Sequence, residues 1–194
     1  MLSLAGALLL TGCAGKGESS TEQIQAVQTA YGRLEHFTAQ AEVTADYGQR
    51  VYGYSVTAEG DRNSGTMAVT EPESIAGTVL TWSDGETELE YDGAVLDTGG
   101  LSESGLSPAD AMSAVLTACW NGAVVDYCSD TLNEQDVLYA TLDAGNQDGC
   151  QIACWFQPDN YALVRAEVSQ DGQVVITLTF TEFSFQTTEE TETE

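Results

Sequence analysis

The chain has 194 residues, 42% of them hydrophobic and 19% charged, which suits one compact domain with a sizeable core. Asp and Glu number 31 against 5 Lys and Arg, a formal net charge of -26, so the surface repels polyphosphate and anionic lipid head groups. Nucleic-acid binding and membrane docking through a basic patch are thereby excluded, and the acidity reads as solubility and self-repulsion.

The first ten residues, Met1 to Leu10, form an apolar run too short to cross a bilayer as a helix. Leu10-Thr11-Gly12-Cys13 follows and resembles the lipobox of bacterial lipoprotein precursors. Small residues before the cysteine fit the signal peptidase, and the Cys13 thiol is the nucleophile that takes a diacylglyceryl group. The resemblance implies that residues 1–12 are a signal peptide and that Cys13 is the lipid-attachment site and first mature residue. The chain is then expected on the extracytoplasmic face of the cell membrane. Two acyl chains, at about 0.8 kcal/mol per buried methylene, anchor stably where one would not. Signal peptides ordinarily open on a basic segment, yet no Lys or Arg precedes Cys13. A start site placed too late accounts for that. Residues 13–21, with Ala14-Gly15-Lys16-Gly17-Glu18-Ser19-Ser20, read as a flexible tether.

A single domain is expected over residues 22–185. Ser20 and Gln23 have capping-box spacing, and Ile24, Val27, Ala30, Tyr31 and Leu34 recur at helical intervals. From Phe37 the period changes to two. Phe37, Ala39, Ala41, Val43, Ala45 and Tyr47 alternate with polar residues, as a half-buried strand requires. Tyr52, Tyr54, Val56 and Ala58 continue the pattern, then Met67 with Val69, Leu80 with Trp82, and Leu89 with Tyr91. Asp84-Gly85 and Asp92-Gly93 fall between these runs, where tight hairpins need positive φ. This half reads as a meander.

Ser107-Pro108-Ala109-Asp110 opens a second helix with a capping serine, a proline at the first helical position and an acid at the positive dipole end. Ala111, Met112, Val115, Leu116, Cys119 and Trp120 form its apolar stripe, and Asn121-Gly122 stops it. Strands are expected around 124–128, 137–142, 150–156 and 163–168, and a hairpin at Asp171-Gly172 leads into 174–185. In that last strand Val174, Ile176, Leu178 and Phe180 share one parity while Phe183 and Phe185 have the other, so a bulge is expected near Thr181. Residues 186–194 carry no apolar side chain and read as a disordered acidic tail. The pattern gives nine to eleven short strands and two helices. One antiparallel sheet of that size curls, and the helices bury their stripes on its concave side.

Several segments resemble lipoprotein-carrier-like (LolA-like) lipoproteins of Gram-positive bacteria. They are Pro72-Glu73-Ser74-Ile75-Ala76-Gly77-Thr78-Val79, Tyr91-Asp92-Gly93 with Leu96 and Thr98-Gly99, and Leu106-Ser107-Pro108. Ala166-Glu167-Val168, Asp171-Gly172, Val174 and Phe180 with Phe183 complete the series. The resemblance implies a mainly β fold, an incomplete barrel closed by two helices, whose hollow takes acyl chains or other lipids. The basic residues do not align with the family's gating position, and a chain held by its own lipid is not a diffusing shuttle.

No catalytic residue is assigned and no enzyme activity is expected. His36 is the sole histidine, it stands at a helix–strand junction, and no Gly-x-Ser-x-Gly motif accompanies it. Carboxylates are too abundant to single out an acid–base pair. No metal is expected, because the cysteines form no Cys-x-x-Cys knuckle and no EF-hand loop is present; no cofactor is expected either. Cys119, Cys128, Cys150 and Cys154 remain after Cys13. An extended 150–154 segment holds its two ends about 13 Å apart, too far for a bridge. Either 119–150 with 128–154, or 119–154 with 128–150, is then open, and so are four reduced thiols. Met67, Val69, Leu80, Trp82, Leu89, Tyr91, Met112, Val115 and Leu116 are the candidate lining of a lipid pocket, or alternatively an ordinary core. Two functions follow: binding of a lipid or acylated molecule, or an envelope interaction module with a filled hollow and an unspecified protein partner.

Overall fold

A computed structural model describes residues 20–83, 86–99, 106–143 and 149–188. Cys13, the expected signal segment and most of the expected tether, the turn expected at Asp84-Gly85 and residues 189–194 of the expected tail lie outside these. Helix α1 (Ser20–Gly32) precedes strands β1 (Leu34–Asp46), β2 (Val51–Gly60), β3 (Ser64–Glu71), β4 (Val79–Ser83), β5 (Glu86–Tyr91) and β6 (Ala94–Gly99). Helix α2 (Pro108–Asn121) follows, then β7 (Ala123–Leu132), β8 (Gln135–Asp143), β9 (Cys150–Phe156), β10 (Leu163–Gln170) and β11 (Gln173–Thr187). The helix thus begins at Ser20 and the last strand runs to Thr187, slightly outside the limits read from sequence.

All strands join one antiparallel sheet of eleven strands in the order β6-β5-β4-β3-β2-β1-β11-β10-β9-β8-β7. Two meanders therefore meet where the first and last strands pair. The sheet does not close: β6 and β7 stand at its opposite ends. This is the curled antiparallel sheet with two packing helices that the alternation predicted, and the incomplete barrel that the resemblance implied. Two-residue hairpins follow the local chemistry. Asp92 and Gly93, and Asp171 and Gly172, all have positive φ, as a type I′ turn demands. Asn133 and Glu134 do the same between β7 and β8, although glutamate is a poor residue for that conformation.

Along β1, Phe37, Ala39, Ala41, Val43 and Ala45 are buried and their neighbours exposed. The same inward row crosses the sheet as Ala39↔Ala58, Ala58↔Met67, Met67↔Leu80 and Leu80↔Leu89. The bulge falls where the parity change put it. Gln40 pairs with Glu182 and Ala41 with Phe180, which leaves Thr181 unmatched, its hydroxyl donating to the Gln40 carbonyl at 3.2 Å. Phe180, Phe183 and Phe185 consequently all face inward, and Phe183 and Phe185 reach the Tyr31 ring at 6.3 and 5.0 Å.

Helix α2 packs on both the sheet and α1 and buries Ala114 and Ala118 besides the expected stripe, while Trp120 is only half-buried. A helix enclosed on most of its circumference needs small residues on its second face. Its N-cap is as predicted: the Ser107 hydroxyl oxygen accepts the Asp110 N–H at 3.2 Å.

Four expectations need correction. Leu34 opens β1 and does not end α1. Val174 is 43% exposed, because a second register shift, between Val168 and Ser169, turns it outward and Val175 inward. Tyr47 and Tyr52, expected on the dry face, are 48% and 39% exposed at the β1–β2 end of the sheet. Tyr91 is 43% exposed at the end of β5, and its hydroxyl donates to the Ser74 carbonyl at 2.9 Å.

Candidate functional site

The helices do not cover the sheet evenly. Helix α2 packs on β1 and β8 to β11, and α1 packs on α2, β7 and β8. Over β2 to β5 the inward side chains face Ser107, Pro108 and Ala109 at the start of α2. A cavity of about 240 Å³ remains there. Val43, Tyr54, Val56, Met67, Val69, Thr78, Leu80 and Leu89 line it from the sheet side, and Ser107, Pro108 and Ala109 from the helix.

Each wall has a local cause. Val56↔Val69 and Met67↔Leu80↔Leu89 are opposite partners, so their side chains stand together on one face. Thr78 belongs to the Pro72–Val79 segment, which folds as a tight loop: the Thr78 and Ile75 N–H groups donate to Ile75 and Pro72 carbonyls at 3.1 and 3.0 Å. Gly77 in that loop has φ +87°, a conformation other residues rarely adopt. The α2 wall is fixed by its cap and by Tyr47, whose hydroxyl donates to the Leu106 carbonyl at 3.1 Å. Burial first, then neighbouring Tyr54 and Asp110, push the Tyr47 phenol above its ordinary value.

Of the residues singled out from sequence, the structure brings together Met67, Val69, Leu80 and Leu89 around this cavity. Trp82 lies elsewhere, packed over Gly65, where an added Cβ would strike its indole. Met112, Val115 and Leu116 are fully buried in the core of α2, and Tyr91 stands at the exposed end of β5. Sequence reasoning did not place Val43, Tyr54, Val56, Thr78 or Ala109 at a cavity. The strand alternation put the first three on the dry face, but nothing local shows which dry positions border empty space.

A larger depression of about 750 Å³ crosses β1, β2, β3 and β11. Its lining is mostly polar, with Thr38, Gln40, Thr57, Glu59, Glu182 and Ser184 among it, and the Gln40 amide donates to Glu182 at 2.8 Å. Size alone does not make it an apolar site. The smaller cavity has the chemistry of one.

The described residues hold no cluster of three or more His, Cys, Asp or Glu arranged for a metal. His36 is exposed on β1 opposite Gln186. Cys119 and Cys154 are buried with their sulfurs 3.9 Å apart. Cys150 is half-buried and its thiol donates to the Gln170 side-chain oxygen at 3.2 Å. Cys128 is exposed on edge strand β7, opposite Tyr139 and two strands from β9. No described helix is long and apolar enough to cross a membrane.

No family model matches the sequence, and no curated protein matches it closely enough to count as a relative. Solved structures do match. A conserved protein from Thermus thermophilus is 9% identical, with 89% of this chain and 91% of that one covered and a TM-score of 0.52. A LolA superfamily protein from Nitrosomonas europaea is 11% identical, covering 89% and 96%, with a TM-score of 0.49. Lipoprotein LppX from Mycobacterium tuberculosis is 14% identical, covering 84% and 92%, with a TM-score of 0.45. At such identities the likeness is one of fold. It carries no residue role across.

Proposed function

We propose that this chain is a lipid-anchored extracytoplasmic binding module. It takes a slender apolar group, such as part of an acyl chain, in the cavity between the first turn of α2 and strands β2 to β5. The carrying observation is an apolar cavity of about 240 Å³ lined by Val43, Val56, Met67, Val69, Leu80 and Leu89 on the inner face of the half-barrel. Dry apolar cavities of about 150 Å³ already take small apolar molecules. Drug-sized ligands occupy about 300–1,000 Å³, so a whole lipid would have to leave much of its length outside. Anchoring through Cys13 rests on the Leu10-Thr11-Gly12-Cys13 motif.

The experiment is native mass spectrometry of detergent-free protein with palmitate, repeated on Ala109→Trp. Ala109 is half-buried at the mouth of the cavity, in the first turn of α2, where a large side chain fills space without entering the core. One palmitate per chain is expected for the native protein, weakened at least tenfold in the variant. Equal uptake by both, or none by either, sinks the cavity reading.

A second reading is an interaction module with a filled hollow. The burial of α2 on both of its faces favours it. Absence of palmitate uptake by a folded protein is its expected signature.

A further inference from the structure

Four cysteines follow Cys13, and the fold treats them differently. Cys119 lies in the last turn of α2 and Cys154 in the middle of β9, 35 positions later. Both are buried, and their sulfur atoms touch at 3.9 Å. Tyr31 from α1 packs beside them, its hydroxyl donating to the Tyr161 carbonyl at 3.0 Å. The other two cysteines cannot form a matching pair. Cys150 has the inward parity of Ile152 and Cys154, whereas Cys128 stands opposite Tyr139, which is itself opposite Trp155 on the other face. A whole strand, β8, separates them.

From this arrangement we propose that Cys119 and Cys154 are a built-in crosslinking site, and that an intramolecular disulfide between them fastens the end of α2 to β9. The oxidant is a thiol-exchanging disulfide, either a small molecule or a protein. The Cys119 thiol loses its proton, and its sulfur attacks the oxidant. The oxidant's S–S bond breaks, a mixed disulfide forms, and one oxidant thiol leaves. The Cys154 sulfur then attacks Cys119, loses its own proton, and releases the second thiol. Two protein S–H groups and one oxidant S–S bond become one protein S–S bond and two thiols. Electrons balance, with the cysteines oxidised and the oxidant reduced.

Closing from 3.9 Å to a bond of about 2.04 Å asks for a shift of roughly 2 Å, within reach of side-chain rotation and a small movement of the last helical turn. Burial, followed by the neighbouring Cys154, pushes the Cys119 thiol well above its ordinary value. The closed native state is therefore slow to react. Reaction belongs to the folding chain or to a state with the end of α2 lifted, and docking of the helix then seals the product. The inference stands apart from the apolar cavity, which lies at the other end of α2.

The test is refolding of the reduced full-length chain in a mixture of oxidised and reduced glutathione. Peptide mapping follows without reductant, using a protease that cuts at acidic residues. Trypsin is unsuitable, since no Lys or Arg lies between Arg62 and Arg165. A Cys119–Cys154 linked peptide is expected as the main crosslinked product. Its formation should raise Tm by about 10 °C over the reduced protein, because a loop of this length is closed in the unfolded chain. The Tm gain should vanish in the Cys119→Ala/Cys154→Ala double variant. Free thiols or glutathione adducts at Cys119 and Cys154 while Cys128 is oxidised would overturn the proposal. So would a dominant Cys119–Cys150 link.

Discussion

At Glu134 a single residue holds a backbone conformation against its own preference. Asn133 and Glu134 form the β7–β8 turn with φ of +51° and +66°. Asparagine accepts the left-handed region, but glutamate pays a Cβ–carbonyl clash of roughly 1–2 kcal/mol, only partly offset by the greater unfolded-state entropy of glycine. Glu134→Gly makes the turn Asn-Gly, the pair most favoured in type I′ hairpins. It should stabilise the protein by about 1 kcal/mol, read as a higher midpoint in urea with an unchanged slope. A lower midpoint would show that the Glu134 side chain contributes more than its backbone costs. Gly65 shows the opposite requirement. It is there because the Trp82 indole occupies the space where any Cβ would stand.

Among the elements, β11 depends most on a detail that alternation alone does not provide. If the same residues ran as a regular strand with no bulge at Thr181, Phe183 and Phe185 would project from the face opposite Phe180. The bulge restores them to the Tyr31 side, where Phe185 approaches that ring at 5.0 Å. An alanine inserted between Glu182 and Phe183 should therefore either turn both phenylalanines outward or slide the end of β11 by one place against β1. Either outcome loses the burial of two aromatic side chains, on the order of 4 kcal/mol and a large fraction of a typical domain's stability. Urea unfolding measures it. An insertion variant as stable as the parent would show that the inward placement of Phe183 and Phe185 is incidental. Helix α2 is the contrasting case, since its Ser107 cap, Pro108 start and Gly122 end were all legible locally.

For the whole molecule, the central question is where the chain is held. The acidic surface, with 31 Asp and Glu against 5 Lys and Arg, provides no electrostatic hold on an anionic bilayer. The proposed anchor at Cys13 is covalent and needs no such attraction. When the gene is expressed in a bacterial host with an alkyne-tagged fatty acid, the native protein should carry the tag and sediment with membranes. Cys13→Ser should lose both. Membrane retention of an untagged Cys13→Ser protein would point to another mode of attachment.

The amino-acid sequence determined most of the strands and of their inward faces, the Asp92-Gly93 and Asp171-Gly172 hairpins, the limits of α2 and the place of the Thr181 bulge. Each of these follows from near neighbours: side-chain parity, turn residues that accept positive φ, and capping groups within one helical turn. The tertiary structure alone decided which dry positions border a void. Val69 and Leu89 line the cavity while Met112 and Leu116 do not, because α2 leans toward β1 and β8 to β11. It likewise chose Cys154 as the neighbour of Cys119 and put Val174 outside through a second register shift. Those outcomes depend on how distant segments settle against one another, and close packing of whole elements contains information that no short window of residues can express.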